Sequence, residues 1–95
     1  MPAYLISTIK ITDPTGYEDY RKLVGAPLAK SGGKFVVRGG AIEYKEGDWR
    51  PQRIVVVEFE SLSKARAFYD SPEYAAAKAI RQRTSESSIL FVEGA

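Results

Sequence analysis

The sequence predicts an α+β fold: one four-stranded antiparallel sheet with its helices on a single face, in the order βαββαβ. Three observations predict it. Strand-like and helix-like patterns alternate in that order. The 95 residues have room for one core and no second. The strands are apolar on both sides, so the sheet needs more cover than its own helices supply.

The elements follow in turn. Ala3 to Ile11 reads AYLISTIKI, rich in β-branched residues and closed by Asp13-Pro14, so it is a strand. Asp13 and Thr15 are both candidate N-caps, and Pro14 suits a first helical turn. Tyr17, Tyr20, Val24 and Leu28 then recur at helical spacing, predicting a helix over roughly 15–30. Gly25 and Pro27 inside it predict a kink or break near residue 26. Ser31-Gly32-Gly33 stops it.

Lys34 to Arg38 is a second strand. Gly39-Gly40 reads as a bulge, with the strand resuming over Ala41–Lys45. Residues 46–51 (EGDWRP) form a turn. Gln52 to Phe59 is the strongest strand. Ser61 caps a second helix with Ala65, Phe68 and Tyr69 on its apolar stripe. Ser71-Pro72 breaks and restarts that helix, which continues to about Arg83. Ser88 to Glu93 is the last strand. Two βαβ-like halves in so short a chain give a ferredoxin-like arrangement, with residues 1–95 expected to form a single domain.

The pattern also predicts a dimer. A half-buried strand alternates apolar and polar residues. Ile54, Val55, Val56 and Val57 do not alternate, and Ile89, Leu90, Phe91 and Val92 repeat the feature. Both faces of the sheet are therefore dry, and short helices cover only one. A second copy packed sheet against sheet is the simplest cover, because two-fold homodimers are the commonest oligomers.

Composition narrows the chemistry. At 44% apolar and 27% charged the chain is an ordinary folded protein, and its net charge of +2 calls for no polyanionic partner. No apolar run approaches the ~20 residues that span a bilayer. No signal-peptide pattern precedes the first strand, so the cytoplasm is the expected location. There is no Cys and no His. Thiolate chemistry, cysteine metal sites and histidine acid–base or haem ligation are thereby excluded. No metal and no cofactor are expected. Any chemistry falls to carboxylates, Tyr, Lys, Arg or Ser.

Glu58 is the first candidate for it. Tracing the predicted hairpin back from Asp48-Trp49 brings Arg38 near residue 58 or 59. Arg38 and Glu58 then make either a structural ion pair or an acid/base group beside an anion hook. The tyrosines are the second candidate. Tyr17, Tyr69 and Tyr74, with Tyr4 and Tyr20, either frame a ligand with their phenols or form ordinary helix stripes on the sheet. Trp49 in its polar turn is an interface anchor, a pocket cap or a residue folded on its own hairpin. The basic residues Lys64, Arg66, Lys78, Arg81 and Arg83 read as a solvated face. Ser31-Gly32-Gly33-Lys34 lacks the phosphate-loop spacing, and no GxGxxG occurs. The second strand has a single aromatic where RNA-recognition modules stack bases, so no nucleic-acid partner is expected.

The segments GGKFVVRGG (32–40), EGDWRPQRIVVVEFES (46–61) and ARAFYDSPEYAAAKAIR (65–81) closely resemble the family called domain of unknown function 1330. With the Tyr4 strand and YEDYRKLV (17–24), the resemblance spans nearly the whole chain. It implies membership of the dimeric α/β barrel superfamily. That superfamily includes cofactor-free monooxygenases, muconolactone isomerases, stress-response proteins and haem enzymes. The resemblance marks Arg38, Gly39, Gly40, Glu58, Phe59, Ser71, Pro72 and Tyr74 as signature positions. Arg38, Glu58 and Tyr74 are the polar ones among them. Two readings follow from the residues and the resemblance together. One is a small-molecule-binding homodimer, a cofactor-free enzyme on a small organic acid or an aromatic or carbonyl compound, with Glu58 as base. The other is a structural or stress-associated homodimer with no ligand.

Overall fold

The computed structural model describes residues 1–95. Strand β1 (Ala3–Ile11) leads into helix α1 (Pro14–Lys30), followed by β2 (Lys34–Arg38) and β3 (Arg53–Phe59). Helices α2 (Leu62–Tyr69) and α3 (Pro72–Thr84) then precede β4 (Ser85–Glu93). The strands form one antiparallel sheet in the order β2-β3-β1-β4, the ferredoxin-like arrangement.

Local chemistry sets the helix ends. The Asp13 carboxylate accepts from the Gly16 N–H at 3.1 Å, and Ser61 and Ser71 accept from the N–H groups of Lys64 and Tyr74. Each cap satisfies a donor that the helix cannot. Pro72 stands in the first turn of α3, so the second helical segment divides where Ser71-Pro72 predicts. Helix α1, by contrast, runs unbroken through Gly25 and Pro27. Proline removes only the bond to the Leu23 carbonyl, and Leu23 lies on the exposed side where solvent replaces it.

The side chains of the sheet alternate cleanly. Leu5, Ile9, Val55, Val57 and Phe59 are buried beneath the helices, with Tyr17, Val24, Leu28, Phe68 and Tyr74 packed on them. The opposite face carries Ile6, Ile54 and Val56, which are half-buried, and Val37, Leu90 and Val92, which are exposed. All three helices lie on the first face, so one chain leaves the second uncovered.

The hairpin departs from expectation in three ways. The β2 irregularity falls between Phe35 and Val37, not at the glycines. Gly39 adopts φ +70 and donates its N–H to the Ile54 carbonyl at 2.9 Å. That left-handed turn carries the chain off the sheet, so Ala41–Lys45 is loop rather than resumed strand. The register then pairs Lys34 with Glu58 and Arg38 with Val55. Arg38 and Glu58 are therefore not neighbours. In addition, β4 begins at Ser85, three residues earlier than the apolar run suggests, because backbone pairing with Lys10 and Ile11 does not require apolar side chains.

Candidate functional site

Between the helix-side face of the sheet and α1 lies a cavity of about 50 Å³. Its floor is set by strand alternation. Leu5, Ser7 and Ile9 of β1 point into it beside Arg53, Val55 and Val57 of β3. Tyr17, Tyr20 and Val24, at helical spacing on α1, roof it, and Tyr74 of α3 closes one side. Phe35 and Arg38 reach it from β2, with the Arg38 guanidinium 4.2 Å from the Phe35 ring centroid. Arg21 covers the Tyr17 ring at 5.4 Å.

Charge in the cavity is one-sided. Arg21, Arg38 and Arg53 line it, and no Asp or Glu does. The only ion pair any of them makes is that of Arg21 with Glu18, on the surface at 2.9 Å. Arg53 packs against the backbone of Gly39, where a Cβ would run into its guanidinium. The tight conformation and the close approach both demand glycine at this position. Two buried side-chain atoms in the molecule have no hydrogen-bond partner, Ser7 Oγ and Arg53 Nε, and both residues line this cavity.

The tyrosines form a connected row. The Tyr20 and Tyr74 hydroxyls are 3.1 Å apart, and Arg81 Nε donates to the Tyr74 oxygen at 3.3 Å. Accepting from Arg81 leaves the Tyr74 proton free to point at Tyr20. Burial pushes the Tyr20 hydroxyl far above its ordinary pKa, and Tyr74 beside it adds to the rise. Burial raises Tyr17 as well, opposed in part by the charges of Arg53, Arg21 and Arg81. Both remain protonated donors at neutral pH.

Arg81 overturns the expectation of a solvated face. It is buried, 4% exposed, and its partners are the neutral oxygens of Tyr74 and Ser87. Burial works against its charge, but the Tyr74 hydrogen bond and the surrounding tyrosines outweigh that and raise its pKa. Its place in the last turn of α3, where the helix dipole favours cations, helps hold it.

The structure thus brings Arg38, Tyr17 and Tyr74 to one cavity and leaves Glu58 and Tyr69 outside it. Glu58 sits on the open face, where the Tyr4 hydroxyl donates to it at 3.2 Å. That bond, with some burial, raises the Tyr4 pKa. Tyr69 packs edge-on against Phe91 at 5.9 Å, under the Lys78 ammonium. Trp49 is 68% exposed on the loop after Gly39, where it lines an open surface depression with Thr8 of β1 and Ser88 of β4. Sequence reasoning missed Ser7, Arg53 and Tyr20's link to Tyr74. The signal for Ser7 was present: in LISTI it takes the inward position between Leu5 and Ile9.

The model of a family described as Domain of unknown function (DUF1330) matches residues 2–95. The chain belongs to the DUF1330 family. No curated protein matches it. Its fold is similar to that of RPA0582, a protein of unknown function from Rhodopseudomonas palustris. The two share 18% identity with a TM-score of 0.76, over 99% of this chain and 82% of that one. SnoaB, a cofactor-independent oxygenase from Streptomyces nogalater, is similar at 14% identity and TM-score 0.70, over 99% and 93%. A dimeric protein of unknown function and ferredoxin-like fold from Bacteroides fragilis is similar at 18% identity and TM-score 0.64, over 98% and 96%. At these identities the likeness is one of fold. Two residues that the resemblance singled out have physical roles here: Gly39 makes room for Arg53, and Tyr74 joins Tyr20 to Arg81.

Proposed function

We propose that this DUF1330 protein is a homodimer that binds a small molecule in the helix-side cavity of each subunit. The observation that carries the reading is the lining: apolar walls with a few convergent polar groups, the usual composition of a ligand site. Arg38, Tyr17 and Tyr74 belong to that site. The open sheet face supports the dimer, since Leu90 and Val92 stand about half exposed beside Ile6 and Val56. Solved dimers of similar fold, such as the Bacteroides fragilis protein, support it too. Glu58 lies across the sheet from the cavity, so a base acting on a ligand there has to come from elsewhere. The proposal is therefore of binding, with the resemblance to SnoaB giving precedent for cofactor-free chemistry on this fold.

One observation favours the second reading, a structural homodimer without ligand. The cavity's 50 Å³ holds a few waters at about 10–15 Å³ each. A ligand would seat its head there and extend towards the mouth. Titration of the purified protein with small organic acids and carbonyl compounds separates the two. The binding reading expects saturable binding at one site per chain, lost when Val24→Phe fills the roof of a still-folded protein. Failure of every probe, or binding untouched by Val24→Phe, rejects it.

A further inference from the structure

We propose that the cavity recognises a carboxylate, seated between Ser7 Oγ and Arg53 Nε, with the apolar body of the acid against Leu5, Val24 and Val57. The inference rests on the binding reading above and names the chemical class of its ligand. Ser7 is 3% exposed, and its hydroxyl has no partner in the protein. Arg53 Nε is likewise buried and unpartnered. A protein seldom leaves a buried donor unmade without a reason at the site.

Register brings the two together. Ser7 pairs with Val55, and Ile9 pairs with Arg53. Ser7 and Arg53 are therefore diagonal neighbours on one face, with about 7–8 Å between their backbones. Both side chains line the same cavity with an unpartnered polar atom each, which suits the two oxygens of one carboxylate. Arg53 has no carboxylate of the protein in reach, and neither does Arg38. The guanidinium fork suits a planar carboxylate, which it can hold through two parallel N–H···O bonds. Water alone would fill the hydrogen bonds but leave the arginine charge unanswered.

Near-isosteric acid and amide pairs test this on the purified protein: benzoate against benzamide, and phenylacetate against phenylacetamide, by titration calorimetry. The acids should bind at least tenfold more tightly than the amides. Arg53→Met should erase that preference by weakening benzoate far more than benzamide, and Arg53→Lys should restore part of it. Ser7→Ala should weaken benzoate several-fold. Acids and amides binding equally would overturn the carboxylate seat and leave the binding reading standing. Benzoate binding untouched by both Ser7→Ala and Arg53→Lys would also overturn it. If neither acids nor amides bind, both readings fall together.

Discussion

The two faces of the one sheet are built from nearly the same strands and do different work. On the helix side, Leu5, Val55, Val57 and Phe59 make a packed core interrupted by Ser7 and Arg53, two polar residues with unmade hydrogen bonds. On the open side, Ile6, Ile54, Val56, Leu90 and Val92 form an apolar surface, and the Tyr4 hydroxyl beside them is satisfied by Glu58. Unmade polar bonds point to a ligand, whereas unburied apolar area points to a protein surface. Neighbouring residues of β3 thus carry opposite expectations.

The largest contrast should come from charge placed on either face of β3. Val57→Asp puts an unpaired carboxylate under the helices and should abolish folding, read by circular dichroism. Val56→Asp, one residue away, should leave a folded monomer in place of the proposed dimer, read by sedimentation. An uncompensated charge buried in the interface costs on the order of 3–5 kcal/mol. A Val56→Asp protein that stays dimeric would break the comparison.

Arg81→Met tests the buried cation on the helix side. It removes hydrogen bonds to Tyr74 and Ser87 but also the cost of burying a charge, so the net loss should be about 1–2 kcal/mol in a denaturant titration. A third experiment uses pH. The folded-state pKa of Tyr20 is raised, chiefly by burial, so the protein favours the neutral phenol. Its contribution is fully present below pH ~10, where the unfolded tyrosine ionises, and declines as pH rises beyond that. The melting temperature should therefore fall above pH ~10, and fall less steeply in Tyr20→Phe. The smallest effect belongs to Glu58→Gln. Its bond to Tyr4 is on the open face, so ligand titrations should be unchanged. A lost affinity would place Glu58 at the site after all.

Much of the fold is legible in the sequence because its signals are local. The caps Asp13, Ser61 and Ser71 and the restart at Pro72 depend on adjacent residues only. The doubly apolar run Ile54–Val57 announces a sheet with two dry faces. The site was harder to read because it depends on register. Treating Gly39-Gly40 as a bulge extended the hairpin and drew Arg38 towards Glu58. In the structure the bulge lies near Val36 and the chain leaves the sheet at Gly39. Arg53 gains meaning only once it is paired with Ile9, and Arg81 only once α3 is docked. No local pattern distinguishes a buried arginine from a solvated one on the same helix.

The most direct test of this division of labour is an NMR titration of the labelled protein with benzoate. The account predicts amide shifts clustered at Ser7, Tyr17, Arg53 and Val55, with Ile6, Val56 and Leu90 unmoved. Shifts confined to the open face, or none anywhere, would contradict it.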